Sequence, residues 1–154
     1  MNGRNPTWNH PDVAFSLNLP AREVHVWRAG LSSSTAVLLR LQGSLSSEEQ
    51  ERADRFRSEH DRTRFLLGRV VARSVLGHCL QKPAGDVQLT LDRLGKPVIA
   101  SPSEPPIHFN ISHSGDYVLF ALARDRRVGV DVEQLRETKD LNEIAARYLS
   151  KIEY

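Results

Sequence analysis

Residues 108–132 read HFNISHSGDYVLFALARDRRVGVDV, and this stretch contains three extended segments separated by two turns. Gly115-Asp116 and Asp125-Arg126 supply the turns, since Gly and Asp tolerate the backbone angles that tight turns require. Three strands joined by two short turns form an antiparallel meander. We therefore predict an antiparallel sheet whose consecutive strands are His108–Ser112, Tyr117–Ala123 and Val128–Val132.

Upstream of this stretch the apolar residues follow the helical period. Between about residues 61 and 80 they recur every three or four positions, which indicates a long helix with one buried face. Ser46 followed by Glu49 is the capping-box pattern that begins a shorter, polar helix, expected over Ser47–Phe56. The buried positions expected on the long helix are Leu67, Val70, Val71, Ser74, Val75 and Cys79.

Shorter segments complete the predicted architecture. Val24 to Ala29 alternates as a strand does, and so do residues 87–91 on one side of the turn at residues 92–97. Asp140–Leu149 is predicted to be a final amphipathic helix. The fold class expected from these elements is α+β, with the long helix packed on an antiparallel sheet that includes residues 108–132.

Composition indicates one ordinary globular domain. The chain has 154 residues, 40% hydrophobic and 26% charged, and its net charge of +2 gives no indication of nucleic-acid binding. The single cysteine excludes an internal disulfide. No apolar run approaches the roughly 20 residues that span a bilayer, and the N-terminus lacks the apolar core of a signal peptide. We expect a cytoplasmic protein with no nucleic-acid or membrane partner.

Asp131 and Glu133 are the strongest candidates for chemistry. In a strand they share one face while Val128, Val130 and Val132 share the other. Two adjacent carboxylates repel each other, and a hard divalent cation such as Mg²⁺ removes that repulsion. On these residues alone, however, an ordinary half-exposed strand is the simpler interpretation.

Three other motifs are compatible with phosphate binding. Ser112-His113-Ser114 precedes a glycine turn, where hydroxyls and backbone N–H groups can receive a phosphate, although local turn capping is the simpler interpretation. Lys96 in Gly95-Lys96-Pro97 offers a point charge, or belongs to a plain turn. The arginines of residues 62–69 reach anions near a helix start, or form an exposed basic face. No Ser-His-Asp arrangement or Gly-x-Ser-x-Gly elbow is present.

Taken in order, these motifs resemble the 4′-phosphopantetheinyl transferases, in particular the larger, pseudo-twofold class of the surfactin-synthetase-activator type. The resemblance runs from about Ser46 to Tyr154 and rests on Arg64–Gly68, Gly95–Pro97, Phe109–Ser114 and Val128–Glu133. It implies a transfer of the 4′-phosphopantetheine arm of coenzyme A to a serine of an apo acyl or peptidyl carrier protein, with release of adenosine 3′,5′-bisphosphate.

The resemblance also implies roles for the charged and hydroxyl residues. Asp131 and Glu133 would hold Mg²⁺ against the coenzyme A pyrophosphate. Ser112 and His113 would contact coenzyme A phosphates, and Arg64 would meet the adenosine 3′-phosphate.

Two further contacts to coenzyme A follow from the same resemblance. Gly95, Lys96 and Pro97 would line the adenine end, and Arg52 would match a basic contact in the preceding helix. Glu49 is an acid where the family member compared has a lysine.

One family motif, tryptophan-x-x-lysine-glutamate, does not occur in the 154 residues. The expected organisation is therefore a loose N-terminal arm (1–22), an N-terminal transferase half-domain (23–133) and the start of a truncated second half (134–154). The full two-half enzyme is expected to be a monomer. The alternatives are a non-catalytic fragment that binds coenzyme A or a carrier protein and, less favoured, an Mg²⁺-dependent phosphohydrolase.

Overall fold

A computed structural model describes residues 19–101, 103–135 and 147 of the chain. It has five strands, three α-helices and two short 3₁₀ turns, Gln42–Ser44 and Ala84–Asp86, within these ranges. In chain order the helices and strands are β1 (Val24–Gly30), α1 (Thr35–Leu41), α2 (Ser47–Asp54), α3 (Glu59–Cys79), β2 (Leu89–Leu91), β3 (Pro97–Ile99), β4 (Ile107–Ser114) and β5 (Tyr117–Arg124).

The main sheet has the order β1-β5-β4, with both neighbouring pairs antiparallel. The β4–β5 hairpin confirms two of the three strands predicted in the meander, but the prediction of a third strand at Val128–Val132 is wrong. The second edge of β5 is already paired with β1, in a register that sets Trp27 opposite Phe120. Residues 128–135 consequently belong to neither sheet.

Helix α3 packs on one face of this sheet. Ser58 caps its start by accepting a hydrogen bond from the N–H of Asp61, and the helix begins at Glu59. The core that it forms with the sheet contains Leu19, Ala72, Val75, Leu76, Val87, Phe109, Phe120 and Leu122. Each fully buried Leu or Phe of this core contributes about 1.5–3 kcal/mol of stability.

The long helix is buried on more than the one face that its sequence predicts. Phe65, Leu66 and Val70 pack into a second cluster with Leu45 and Ala53, away from the sheet. Val71, Ser74 and Cys79, predicted to be buried, are half-buried. Burial raises the pKa of the Cys79 thiol, which favours the inert, protonated form.

Helix α2 confirms the predicted capping box and ends at Asp54, two residues before the predicted end. The Ser46 hydroxyl accepts from the N–H of Glu49, and the Glu49 carboxylate accepts from the N–H of Ser46. Glu49 also accepts a hydrogen bond from Arg73 Nε at 2.7 Å, deep between α2 and α3. This contact fixes the two helices against each other.

Two predicted segments fall largely outside the described residues. These are the N-terminal arm, of which residues 19–22 are described, and the helix at Asp140–Leu149, of which Arg147 is described. Leu19, at the end of the expected loose arm, is 1% exposed and belongs to the core. None of the helices in the described ranges is both long and apolar enough to cross a membrane.

Candidate functional site

Residues 128–134 lie along β4 and are held by its side chains. The N–H groups of Val130, Val132 and Gln134 donate to Asn110 Oδ1 (2.8 Å), Ser112 Oγ (3.2 Å) and Ser114 Oγ (3.1 Å) respectively. Each pair is separated by 20 residues, so the segment runs parallel to β4. Alternate side chains of a strand project from one face. Here those of Asn110, Ser112 and Ser114 accept the hydrogen bonds that backbone carbonyls accept between paired strands.

This arrangement brings Asp131 and Glu133 to the same face of β4. Ser112 Oγ donates to Asp131 Oδ1 at 2.6 Å, and Ser114 Oγ donates to Glu133 Oε2 at 3.0 Å. Both carboxylates are exposed, whereas Val130 and Val132 are half-buried, as the alternation of the sequence predicts. The structure therefore places the two predicted acids next to the serine hydroxyls of β4.

The acidic pair could bind a cation through carboxylate oxygens. Each carboxylate accepts its serine hydroxyl hydrogen bond through one oxygen, Oδ1 of Asp131 and Oε2 of Glu133. The ranges that the structure describes contain no group of three His, Cys, Asp or Glu residues that could hold a metal ion. Within those ranges the site offers two carboxylates.

His113 projects from the opposite face of β4 to Ser112 and Ser114. It shares its face with Phe109 and Ile111, and Ile111 lies against α3 at Gly68. The His113 side chain is exposed at the end of this row. Ser112 and His113, expected to bind phosphates together, are thus directed to different sides of the strand.

Arg64 connects the start of α3 to the β4–β5 turn. Its NH2 group lies 2.6 Å from Asp61 Oδ1, and its NH1 group donates to the carbonyl of Gly115 at 3.3 Å. A second contact across the same junction joins His60 Nε2 to Asp116 Oδ1 at 2.8 Å. Arg64 Nε is buried and has no hydrogen-bond partner among the described residues. Two of the three Arg64 nitrogens are therefore already engaged within the fold.

Gly95, Lys96 and Pro97 form the turn and first strand residue of the β2–β3 hairpin. Gly95 has φ +76°, a conformation that glycine adopts without strain. The N–H groups of Lys96 and Leu94 donate to Asp92 and hold the pKa of its carboxyl below the usual range. Lys96 Nζ reaches the carbonyl of Val128 at 3.4 Å. The hairpin is thereby tied to the start of residues 128–134, which are called the acidic segment below.

A cleft of about 540 Å³ lies between this hairpin and β4. Lys96, His108 and Arg127 contribute polar or basic groups to its wall, and Val98 and Ile107 contribute apolar ones. A mixed wall of this kind suits a ligand with both apolar and anionic parts.

Arg52 lies at a different cleft, of about 350 Å³, between α2, α3 and β2. Its guanidinium is 5.4 Å from the ring centroid of Phe65, and that of Arg69 is 5.2 Å from the same ring. Burial lowers the pKa of Arg69, an effect that Glu49 opposes. Glu49 stands where the compared family member has a lysine, and here its carboxylate interacts with the buried arginines Arg69 and Arg73.

Residues 27–125 match the protein family described as "4′-phosphopantetheinyl transferase, N-terminal". The chain belongs to the 4′-phosphopantetheinyl transferase family. The 4′-phosphopantetheinyl transferase HetI of Nostoc sp. is 39% identical over 140 residues, which are 90% of this chain and 59% of that protein. Sfp of Bacillus subtilis is 40% identical over 116 residues, 75% of this chain and 49% of its own. The chain spans about half the length of such relatives.

Two solved structures confirm the α+β transferase fold. One is a holo-(acyl-carrier-protein) synthase from Bacillus anthracis in complex with CoA (3′,5′-ADP), with a TM-score of 0.53 at 19% identity. The superposed part is 66% of this chain and 93% of the synthase chain. The holo-[acyl-carrier-protein] synthase of Helicobacter pylori, in complex with coenzyme A, has a TM-score of 0.50 at 13% identity, covering 67% and 100%. At these identities the likeness concerns the fold.

Asn110 and Ser114 were not among the site residues predicted for this transferase. A signal was present, because polar residues at 110, 112 and 114 alternate with Phe109 and Ile111. That alternation indicates a polar face on β4, but it does not reveal that the next segment of chain lies on it.

Proposed function

We propose that the protein transfers the 4′-phosphopantetheine arm of coenzyme A to a serine hydroxyl of an apo acyl or peptidyl carrier protein. The observation that carries this proposal is the pairing of Asp131 and Glu133 with the hydroxyls of β4 in a chain of this family. The proposal also draws on the named activity of relatives that are 39–40% identical to this chain.

In the proposed reaction the serine Oγ forms a bond to the phosphorus of the phosphopantetheine phosphate. The P–O bond to the adenosine bisphosphate breaks, and the serine proton is released to water. The anionic oxygens on both sides of that phosphorus need nearby positive charge, and the reactants need a fixed orientation.

Mg²⁺ is the group proposed to supply that charge at Asp131 and Glu133. The residues fit it, since each carboxylate accepts its serine hydrogen bond through one oxygen and both are exposed. Mg²⁺ commonly takes one or two protein carboxylates and completes its shell with water and phosphate oxygens. When bound, it would neutralise the pyrophosphate and its leaving group.

The remaining predicted residues are proposed to bind coenzyme A. His113 is exposed at the end of β4, and Lys96 lines the cleft between the β2–β3 hairpin and β4, with Gly95 and Pro97 next to it in the chain. Arg64 is proposed to meet the adenosine 3′-phosphate. The residues proposed to contact coenzyme A are Arg52, Arg64, Gly95, Lys96, Pro97 and His113, whereas the Ser112 hydroxyl donates to Asp131.

The organisation around this site is part of the proposal. Residues 23–133 would form the N-terminal half-domain of a two-half transferase, and residues 134–154 would begin the second half. We propose that the enzyme acts as a monomer in the cytoplasm, where apo carrier proteins are synthesised.

The test is a transfer assay on the intact protein. It is mixed with coenzyme A, Mg²⁺ and an apo carrier protein, and the carrier is weighed by mass spectrometry. We expect the carrier to gain one phosphopantetheine arm on its serine, and a carrier with that serine changed to alanine to gain none. Absence of mass gain on several acyl and peptidyl carriers would reject the proposal.

The same samples separate the alternatives. A binding fragment would bind coenzyme A in calorimetry and leave every carrier unchanged. A phosphohydrolase would release phosphate from a generic phosphate ester without any carrier protein.

A further inference from the structure

We infer that Asn110, Ser112 and Ser114 are positioning residues that set the register and direction of the two metal-binding carboxylates. This inference rests on the proposed function of Asp131 and Glu133. The three side chains occupy alternate positions of β4, so they share one face of the strand. They are called the β4 side-chain ladder below.

The ladder repeats one pattern of contacts. Ser112 donates to Asp131 and accepts from the N–H of Val132, and Ser114 donates to Glu133 and accepts from the N–H of Gln134. Advancing by two residues on β4 therefore advances the contacts by two residues on the segment. A slip of one residue would place the valines where the carboxylates stand, so both hydroxyls oppose it.

The hydroxyl of Ser112 is fully committed as a donor. A serine hydroxyl has one O–H to donate, and here that proton points to Asp131 Oδ1 at 2.6 Å. Ser112 cannot donate to a coenzyme A phosphate unless it releases the carboxylate. The geometry therefore favours a role through Asp131 over the direct phosphate contact that the resemblance implies.

Asn110 separates positioning from ligand contact. Its Oδ1 atom accepts from the N–H of Val130 at 2.8 Å, and its described hydrogen bonds involve neither carboxylate. A change at Asn110 can affect the acidic pair only by moving the backbone of the segment. Because β4 keeps its backbone pairing with β5 through Ile107–Ser114, the sheet itself does not depend on the ladder.

The experiment uses Mn²⁺ as the probe ion, in the absence of coenzyme A, with affinity measured by electron paramagnetic resonance. The variants are Asn110→Ala, Ser112→Ala and Ser114→Ala, with Ser112→Thr and Ser114→Thr to restore the hydroxyl. Ser74→Ala is the matched control, because the Ser74 hydroxyl is buried and has no hydrogen-bond partner among the described residues. Amide hydrogen exchange of Val130, Val132 and Gln134 is followed on the same proteins.

We expect each alanine variant of the ladder to weaken Mn²⁺ binding about 10-fold, as is usual for residues that orient metal ligands. Exchange of the three amides should accelerate, and the metal concentration for half-maximal transfer should rise more than kcat falls. The threonine variants should recover Mn²⁺ affinity, and Ser74→Ala should match the unchanged protein.

Unchanged Mn²⁺ affinity in Asn110→Ala and Ser114→Ala would overturn the inference. So would a Ser112→Ala variant that loses coenzyme A affinity and keeps Mn²⁺ affinity, since its hydroxyl would then contact the substrate. If the unchanged protein bound Mn²⁺, the ladder variants weakened that binding and no carrier was modified, the proposed transfer would fail and the inference would stand. If it modified carriers and bound no Mn²⁺, the inference would fail and the transfer would stand.

Discussion

Arg73 Nε on α3 lies 2.7 Å from Glu49 Oε2 on α2, and the two side chains are 4% and 10% exposed. Arg73 NH1 also donates to the carbonyl of Val87 at 2.8 Å, so one guanidinium joins α2, α3 and the segment before β2. Arg69 approaches the other oxygen of Glu49 at 3.9 Å. A single carboxylate therefore balances two buried arginines.

Removing that carboxylate should be costly. We expect Glu49→Gln to destabilise the protein by about 3–5 kcal/mol, because breaking a buried ion pair leaves an uncompensated charge. Urea unfolding measured by far-ultraviolet circular dichroism provides the free energy of unfolding. Glu51→Gln, an exposed change on the same helix, is the control and should lie within about 0.5 kcal/mol of the unchanged protein. Equal effects of the two substitutions would refute the role assigned to Glu49.

The acidic pair should be needed for transfer but not for folding. We expect Asp131→Asn and Glu133→Gln each to lower the transfer rate by about 100-fold or more, since each removes an anionic ligand of the proposed Mg²⁺, which would neutralise the attacked phosphate. Both acids are exposed, so the free energy of unfolding should change little. Carrier modification is followed by mass spectrometry, with Glu51→Gln again as control. Full activity in both variants would remove Asp131 and Glu133 from the mechanism.

The β2–β3 turn should weaken in acid. The backbone N–H groups of Lys96 and then Leu94 lower the folded-state pKa of Asp92, whose unfolded value is about 3.9. A lowered carboxyl pKa contributes stability above the unfolded value, and this contribution is lost as pH falls through the folded value. The stability advantage over Asp92→Asn should therefore shrink between about pH 5 and the folded pKa.

Carbon chemical shifts of the Asp92 carboxyl, recorded across the titration, check this directly. A measured pKa at or above about 3.9 would contradict the turn geometry described here.

Two glycines of α3 should respond oppositely to alanine. A Cβ atom at Gly77 would lie 2.8 Å from the carbonyl oxygen of Lys82, a backbone atom that cannot easily move. At Gly68 the nearest atoms would be 3.5 Å and 3.7 Å away, which is ordinary contact. Gly77→Ala should cost about 1–3 kcal/mol, as overpacking does, whereas Gly68→Ala should be neutral or gain up to about 1 kcal/mol of helix propensity.

Thermal unfolding of the two variants side by side measures this difference. Equal melting temperatures would show that the chain after α3 does not approach Gly77 as closely as described.

Local patterns were readable from the sequence. The capping box at Ser46 and Glu49 was predicted because its two hydrogen bonds join residues three apart. The long helix and the β4–β5 hairpin were predicted for the same reason, since their periodicity and turn residues are local. The ion pair of Glu49 with Arg73 was not predicted, because Arg73 is 24 residues away and nothing in the local pattern selects it.

The acidic segment shows where local reasoning stops. Alternation at residues 128–133 correctly placed the valines and the acids on different sides, because that property depends only on an extended backbone. The choice of partner was wrong, because the second edge of β5 pairs with β1, which lies almost 100 residues earlier in the chain. The β4 side-chain ladder shows both cases. Its alternation of polar residues is a local pattern, whereas its contact with residues 130–134 joins positions 20 residues apart.

Trp27 gives the core an optical reporter. Its ring centroid lies 5.8 Å from that of Phe120, which in turn stacks on Phe109 at 5.5 Å, so one indole samples all three strands of the main sheet. The chain has two tryptophans, and replacing Trp8 by phenylalanine would leave a single emitter. Its emission wavelength would then follow the hydration of the sheet core, independently of any ligand or activity measurement.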